Sequence, residues 1–278
     1  MVEVDRVGKT ALVTGAHEGI GRTVADALAE TGYRVFGTSR SARPDRDGVA
    51  MLRLDVREQQ SVTDCVGAIQ ESAGPIDVLV SNAGLTVVSP SEETPLTVAH
   101  DMMEVNFYGA ARLVNAALPA MRAQRAGHLV FISSLAGRMG VPGQSYYCAS
   151  KHALEGYVDG LYAELQMFGI KVSLLEPGHF RTNIIEKSTR PDWPTLEAYD
   201  PVRDHLREVV MKATAEGADP RLIANVVLKA IQSRRPRLRY RVDGDGKRAM
   251  FFKSVLPEAM FYSVVAKRFG MSLFGGSK

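Results

Sequence analysis

The sequence predicts an α/β fold in which a parallel, doubly wound β-sheet is covered by helices on both faces, giving one three-layer αβα domain. Short apolar runs alternate with amphipathic stretches, which is typical of parallel strands buried on both faces. The first run ends in a glycine-rich turn that leads into a helix. No internal repeat or low-complexity linker divides the 278 residues, so we interpret residues 1–278 as a single domain.

The strands and helices follow from the apolar periodicity and from the turn residues between runs. Six strands are predicted, at residues 10–15, 33–39, 50–56, 76–84, 127–134 and 170–178. Four helices are predicted, from Gly19 to Glu30, from Thr94 as N-cap with Pro95 as first residue, from Ser145 to Phe168, and after Asp219-Pro220. Right-handed crossovers in such a fold place the ligand beyond the carboxyl ends of the strands.

Composition and charge exclude several classes of protein. A net charge of +3 is too small to indicate a nucleic-acid partner, and 45% hydrophobic residues suffice for a core. The only cysteines, Cys65 and Cys148, make no disulfide framework, which suits a reducing compartment. The first residues do not resemble a signal peptide, and no apolar run approaches the roughly 18 residues of a membrane span. We therefore expect a cytoplasmic protein.

The segment TGAHEGIG at residues 14–21 lies where the first strand turns into a helix. Gly15, Gly19 and Gly21 permit a tight turn and let the backbone approach a pyrophosphate closely. The N-terminus of the following helix would attract the same pyrophosphate through its N–H donors and its positive dipole. Their spacing differs from the common dinucleotide fingerprint G-x-G-x-x-G. We predict that these glycines bind a dinucleotide together with His17, Glu18 and Ile20.

The end of the second strand indicates which dinucleotide is bound. An acidic residue there would bind the ribose 2′-hydroxyl of NAD, whereas an arginine accepts the 2′-phosphate of NADP. Ser39 and Arg40 occupy this position and favour NADP(H), with NAD(H) as the alternative. Glu18 could repel the same phosphate or pair with Arg40.

Two adjacent tyrosines precede a lysine in SYYCASK, residues 145–151. Tyr147 and Lys151 are four residues apart and share a helix face, whereas Tyr146 does not align as well. A tyrosine with a pKa near 10 is a poor base, and a nearby ammonium is expected to lower that pKa. Ser133 and Ser134 point to opposite faces of the preceding strand, so only one of them can hold a substrate oxygen.

Seven short motifs, which follow one another in a fixed order along the chain, resemble those of the short-chain dehydrogenase/reductase family. The resemblance is to the single-domain branch of this family, which has a Rossmann fold. The resemblance covers about residues 8 to 240. It rests on TGAHEGIG (14–21), LDV (54–56), NAG (82–84), Asn106 in VNFYG, Ser134 in ISSLAG, Tyr147 and Lys151 in YCASK, and PGHFRT (177–182).

The resemblance implies a role for each matching residue. Tyr147 would be the general acid/base, Lys151 would lower its pKa and bind ribose, Ser134 would hold the substrate oxygen, and Asn106 would support a proton relay. Asp55 and Val56 would contact adenine. Further cofactor contacts would come from Asn82, Ala83, Gly84, Pro177, Gly178, Phe180 and Thr182.

Selectivity in this branch comes from the segment before Tyr147, the segment 183–218 and the C-terminal extension 245–278. We predict that Ser134, Met139, Tyr146, Tyr147, His179 and Trp193 contact the substrate. A lipophilic substrate is favoured by the apolar wall that could be formed by residues 85–88, Met139, Val141, Tyr146, Phe180 and Trp193. The motifs also look most like those of hydroxysteroid and retinol dehydrogenases. The apolar tail 250–274 could be a substrate lid, a subunit contact or a membrane-surface helix, and packing or a lid is favoured. The resemblance also implies a homodimer or homotetramer.

The sequence therefore predicts an NADP(H)-dependent oxidoreductase that interconverts a secondary alcohol and a ketone or aldehyde. A catalytically silent NADP-binding sensor or scaffold is the alternative, although such relatives tend to lose the tyrosine or lysine. An epimerase or dehydratase would carry a different glycine spacing and a larger second domain. The histidines have no metal-ligand spacing, so no metal site is expected.

Overall fold

The computed structural model describes residues 8–187 and 193–271. Seven strands are found in these two ranges: β1 (Thr10–Val13), β2 (Arg34–Ser39), β3 (Val49–Arg53), β4 (Val78–Ser81), β5 (Gly127–Ile132), β6 (Ile170–Glu176) and β7 (Arg239–Arg241). They form one sheet in the order β3-β2-β1-β4-β5-β6-β7, and every neighbouring pair is parallel. This is the predicted doubly wound sheet.

Ten α-helices are found among the described residues: α1 (Gly19–Glu30), α2 (Gln59–Ala73), α3 (Leu96–Met103), α4 (Gly109–Gln124), α5 (Ser145–Leu165), α6 (Ile184–Lys187), α7 (Asp200–Ala215), α8 (Arg221–Gln232), α9 (Gly244–Val255) and α10 (Glu258–Arg268). A π-helical turn, Glu104–Tyr108, joins α3 to α4. Both ends of α1 agree with the sequence prediction, because glycines fix its start and Gly32 follows its end at φ +88°.

Each face of the sheet carries its own buried cluster, because successive strand residues point to opposite sides. Leu12 and Phe131 pack against α4 and α5 through Leu113 and Val158. On the other face, residues of α1 and α8 are packed against the sheet, namely Val13, Val24, Leu28, Val130, Ile223 and Val227. The predicted three-layer, single-domain architecture is confirmed.

A crevice opens where the strand order reverses. β1 lies between β2 and β4, so the helices that follow β1 and β4 leave the sheet toward opposite faces. In open α/β sheets this is where ligands bind, beyond the carboxyl ends of the strands. The predicted glycine turn, the NAG segment and the segment after β6 all lie at this edge.

Several elements are absent from the sequence prediction, and β7 and α2 are the ones that belong to the central sheet and its layers. β7 carries Arg239 and Arg241, so it shows no apolar run; its arginines instead pair with Glu176, which is fully buried. α2 buries only a narrow stripe formed by Val62, Cys65, Val66 and Ile69. The apolar pattern of both elements was too weak to be recognised.

The start of α3 differs from the prediction by one residue. Pro95 is the N-cap and the helix begins at Leu96. The hydroxyl of Thr94 donates to the carbonyl of Pro90 at 2.9 Å and does not cap the helix. The preceding turn therefore competes for the hydroxyl that the sequence assigned to capping.

The segment 183–218 and the C-terminal extension fold into helices that share a third apolar cluster. This cluster contains Leu206 and Val210 of α7 and Phe261 and Val265 of α10, with Val88 beside them. The apolar tail is therefore packed on one of its faces, as the favoured alternative predicted. Residues 188–192 and 272–278 of these segments lie outside the described residues. Among the helices that the structure describes, none is long and apolar enough to cross a membrane.

Candidate active site

Tyr147 and Lys151 lie one turn apart near the start of α5, at the carboxyl edge of the sheet. The Lys151 ammonium is 5.9 Å from the centroid of the Tyr147 ring. Lys151 is buried, and its Nζ donates to the carbonyl of Ile132 at 3.0 Å. The end of β5 thus fixes the lysine beneath the tyrosine, on the helix face that the four-residue spacing predicted.

The two serines after β5 point in different directions, as strand alternation predicted. Ser134 hydrogen-bonds with Tyr147, and its Oγ also accepts from the backbone N–H of Ala136 at 3.1 Å. Ser133 is buried and faces Glu155 in the interior, where burial raises the pKa of that carboxyl and Ser133 only partly opposes the rise. The geometry therefore selects Ser134 as the serine beside Tyr147.

The electrostatics at Tyr147 differ from the sequence expectation. Burial raises the pKa of Tyr147 to about 12, and the hydrogen bond with Ser134 only partly opposes this. Burial also lowers the pKa of Lys151 to about 8, although the nearby Glu155 carboxylate acts in the opposite direction. Desolvation of both groups outweighs the expected effect of the ammonium on the phenol. Tyr147 is therefore protonated at neutral pH and suited to donate a proton.

Asn106 lies in the π-helical turn, a distortion that is frequent at functional sites. Its Oδ1 accepts from the N–H of Leu85 at 2.7 Å, and its Nδ2 donates to the carbonyl of Leu85 and to Ser150 Oγ, both at 2.8 Å. Ser150 Oγ in turn donates to the carbonyl of Tyr147 at 2.7 Å. Asn106 thus connects the loop after β4 to the helix turn that carries Tyr147. Ser150 was not predicted from the sequence, although it follows the tyrosine by three residues in the same motif.

The glycine turn has the backbone that its sequence predicted. Gly15 and Gly19 have φ values of +65° and +54°, a region that favours glycine. A Cβ on Gly21 would overlap the carbonyl oxygen of Gly15 and Nδ2 of Asn82. Glu18 is the N-cap of α1 and makes no side-chain capping bond, so its side chain leaves the first N–H donors of the helix available to an anion. This cradle fits a pyrophosphate.

Thr14 and Asn82 hold the glycine turn against the end of β4. Thr14 Oγ1 accepts from the N–H groups of Asn82 and Ala83, each at 3.0 Å. Asn82 Nδ2 donates to the carbonyl of Thr14 at 2.8 Å. The side chain of Asn82 therefore shapes the cradle together with Thr14, which was not predicted as a site residue from the sequence.

The residues that would select between NAD and NADP lie beside this turn. The N–H of Ala16 donates to the carbonyl of Thr38 at 2.9 Å, which places the end of β2 next to the turn. Ser39 is buried and Arg40 is exposed. Oε1 of Glu18 lies 3.0 Å from Nε2 of His17. The sequence suggested only that Glu18 could repel the phosphate or pair with Arg40, so the contact with His17 was not predicted.

Asp55, expected at the adenine, is held by Arg57. Three hydrogen bonds of 2.7–3.2 Å join the Arg57 guanidinium to both carboxylate oxygens, and they hold the pKa of Asp55 below its usual value. Val56 is buried against Gly109 of α4. The sequence motif placed these residues at the carboxyl edge but could not show the arginine that covers the carboxylate.

After β6, the predicted residues have distinct environments. Gly178 donates its N–H to Asp243 at 2.8 Å, and the same carboxylate caps α9, so the C-terminal extension is attached beside the site. The carbonyl of Pro177 accepts from Leu135 N at 3.0 Å. Phe180 is buried in the cluster between the sheet, α1 and α8, so its side chain is core and not pocket wall. A Cβ on Gly19 would lie 3.5 Å from the Thr182 methyl group, so Thr182 reaches the glycine turn.

The predicted substrate residues are only partly brought together. Met139 packs against the third apolar cluster, which adjoins the loop before Tyr147. Tyr146 and Trp193 are half-buried, and His179 is exposed while its backbone pairs with Ala218. Within residues 8–187 and 193–271, no group of three or more His, Cys, Asp or Glu side chains could hold a metal ion.

The sequence of this chain is similar to those of known proteins over most of its length. Residues 9–193 match the model of the family described as short chain dehydrogenase. The chain is 35% identical to 3-ketodihydrosphingosine reductase of Bacteroides thetaiotaomicron, over 90% of this chain and 93% of that protein. It is 34% identical to retinol dehydrogenase 8 of Bos taurus, over 91% and 88% of the two chains.

Solved structures are similar over most of the chain. A short-chain dehydrogenase from Streptomyces avermitilis is 34% identical, with a TM-score of 0.80 over 96% of this chain and 99% of that one. A short-chain dehydrogenase/reductase from Burkholderia phymatum, solved in complex with NAD, is 25% identical, with a TM-score of 0.75 over 85% and 90%. A metagenomic short-chain oxidoreductase in complex with NADP is 27% identical, with a TM-score of 0.68 over 86% and 100%.

Proposed function

The chain belongs to the short-chain dehydrogenase family, and we propose that it is an NADP(H)-dependent oxidoreductase that interconverts a lipophilic secondary alcohol and a ketone or aldehyde. The family makes it an oxidoreductase that uses a nicotinamide cofactor. One observation supports the proposed reaction of an alcohol and a carbonyl: Tyr147, Lys151 and Ser134 lie together at the edge of the sheet where the glycine cradle opens.

Each of the three side chains has a distinct chemical task. Tyr147 donates its proton to the substrate oxygen during reduction and removes it during oxidation. Ser134 donates a hydrogen bond to the same oxygen, which strengthens as negative charge develops there. Lys151 supplies positive charge beneath the phenol and donates to ribose hydroxyls. The bound nicotinamide would supply or accept the hydride.

The cradle supports a dinucleotide by backbone chemistry and by charge. Gly15, Gly19 and the uncapped start of α1 offer N–H donors to the pyrophosphate. Arg40, exposed at the end of β2, is the residue proposed to bind the 2′-phosphate of NADP(H). Asn106 fixes the turn that carries Tyr147 through Ser150, which keeps the phenol oriented.

A lipophilic substrate is supported by the apolar cluster beside the active-site loop. Met139 and Val141 of this loop pack with α7 and α10, which together form an apolar wall. The names of the two relatives, a ketodihydrosphingosine reductase and a retinol dehydrogenase, also describe enzymes of lipophilic molecules. A cytoplasmic location and a homodimer or homotetramer remain predictions from the sequence.

The pKa values predict opposite pH dependence in the two directions. Because the pKa of Tyr147 is raised to about 12, the proton donor is fully protonated at neutral pH, so reduction should be flat from about pH 6 to 7.5. Reduction should slow above about pH 8, where Lys151 loses its charge. Oxidation needs the phenolate and should rise by up to about tenfold per pH unit.

The role of Tyr147 as general acid/base is tested by initial rates of reduction and oxidation of one alcohol and ketone pair, measured from about pH 6 to above pH 8. An oxidation rate that does not change with pH would exclude a high-pKa phenol as the base.

The substitution Arg40→Asp tests the cofactor preference. Removing a charge-assisted contact worth about 1.5–3 kcal/mol should lower the ratio of NADPH to NADH affinity by about 10- to 100-fold. Arg122→Asp, an equal charge change near the end of α4, is the matched control and should leave the ratio unchanged. Equal ratios in the wild-type protein and Arg40→Asp would remove Arg40 as the determinant.

A further inference from the structure

The two C-terminal helices expose an unusual concentration of large apolar side chains. Five of the thirteen exposed large hydrophobic residues in the described part of the chain lie between positions 251 and 264: Phe251, Phe252, Val255, Met260 and Val264. The exposed fractions of Phe251 and Met260 are 60% and 56%. Isolated exposed apolar residues are ordinary, but a clustered group indicates an interaction surface.

The exposed residues of α9 form one continuous face. Met250 and Gly246 are buried on one side of the helix, and Phe251, Phe252 and Val255 lie on the opposite side at helical spacing. The rings of Phe251 and Phe252 contact each other edge to face, with centroids 5.8 Å apart. Phe251, Phe252 and Val255 are therefore exposed together on one side of α9.

Basic residues accompany the apolar face. Residues 244–271 contain five basic side chains, Lys247, Arg248, Lys253, Lys267 and Arg268, against two acidic ones, Asp245 and Glu258. Lys247 and Arg248 lie one turn before Phe251 and Phe252, on the same exposed side of α9. The surface thus combines aromatic side chains with an excess of positive charge.

A cationic cavity lies on the flank of the same helix. It has a volume of about 440 Å³ and is lined by Arg138, His152, Arg241 and Lys253, with Met250 and Ser254 of α9. The carboxylate of Glu176 is fully buried and lies 3.5–3.7 Å from Arg138 and Arg241. The lining therefore has more positive than negative charge and is suited to a phosphate group.

We propose that α9 and α10 form a docking surface for a membrane that contains anionic phospholipid. Phe251, Phe252 and Val255 insert at the level of the lipid headgroups, while the basic residues and the cationic cavity bind phosphate groups. A second copy of this chain fits the surface less well. A symmetric contact would bring two surfaces with the same excess of positive charge together.

The other side of α10 connects this surface to the active site. Phe261 and Val265 pack in the third apolar cluster with Leu206 and Val210, beside Met139 of the active-site loop. Docking would therefore place the apolar wall of the site next to the lipid phase. The docking proposal does not depend on the proposed function, since its test reads vesicle binding and not turnover.

Co-sedimentation of the full chain with vesicles tests the proposal. Binding should be at least about tenfold greater with phosphatidylcholine vesicles containing phosphatidylglycerol than with phosphatidylcholine alone, and added salt should weaken it. The double variant Phe251→Ser/Phe252→Ser should lose most of this binding. Leu96→Ser, which removes a 64% exposed apolar residue from α3, is the matched control and should bind normally.

Thermal unfolding and gel filtration of the same variants distinguish the other outcomes. Unchanged thermal stability of the double variant would show that its loss of binding is local. Equal binding of wild-type protein to neutral and anionic vesicles, or no binding to either, would overturn the proposal. A change from dimer to monomer in the double variant would also overturn it, because the face would then be a subunit contact.

Discussion

Replacing Tyr147 with phenylalanine is expected to lower turnover by about 10²–10⁴-fold while cofactor affinity stays within about twofold. The variant removes only the hydroxyl, so the ring continues to fill its place above Lys151. It also removes the hydrogen bond with Ser134 and the only proton that the proposed mechanism gives to the substrate oxygen. The loss should therefore appear in kcat, measured from nicotinamide absorbance, and not in cofactor binding.

Tyr146→Phe is the matched control for this substitution. Tyr146 is the neighbouring residue on α5, it is half-buried like Tyr147, and it points about 100° away around the helix. Its variant should retain kcat within a few fold. Retained turnover in Tyr147→Phe, or an equal loss in both variants, would contradict the assigned role.

The substitution Gly21→Ala should weaken cofactor binding by narrowing the cradle. The added Cβ would overlap the backbone oxygen of Gly15 and the side-chain amide of Asn82, which is held by its hydrogen bond to the Thr14 carbonyl. Overpacking of this kind destabilises a protein by about 1–3 kcal/mol. We expect at least a tenfold loss of NADPH affinity together with a lower free energy of unfolding.

Gly67→Ala is the control for the glycine substitution. Gly67 lies in α2, and a Cβ there would meet no atom within 4 Å. Alanine in this helix should leave NADPH affinity unchanged and increase stability by up to about 1 kcal/mol. Fluorescence titration with NADPH and denaturant unfolding provide both measurements. Unchanged affinity in Gly21→Ala would show that the turn does not hold the cofactor.

Glycines and apolar runs made the central part of the fold predictable. Gly15, Gly19 and Gly21 fixed the first turn, because few other residues tolerate its backbone and its close contacts. The strands that are buried on both faces were recognisable by their continuous apolar runs. β7 was missed because its arginines are paired with buried carboxylates, a relationship between residues more than 60 positions apart.

The candidate site was predictable in position but not in electrostatics. The four-residue spacing of Tyr147 and Lys151 sets a shared helix face, which is a local property of the sequence. The pKa of Tyr147 depends instead on burial, and burial depends on segments far along the chain. The contact of Asp243 with Gly178 likewise joins residues far apart in the sequence, and the motif names only Gly178. Arg57 lies two residues after Asp55 and Ser150 lies within the tyrosine motif, but the resemblance assigns neither of them a contact.

The most direct test of the central claim is turnover of a panel of lipophilic ketones and aldehydes by the wild-type protein, followed by nicotinamide absorbance with NADPH and with NADH. We predict steady consumption of cofactor with at least one lipophilic carbonyl, faster with NADPH than with NADH. Tight binding of NADPH without turnover of any member of the panel would contradict the account and favour a catalytically silent NADP-binding protein.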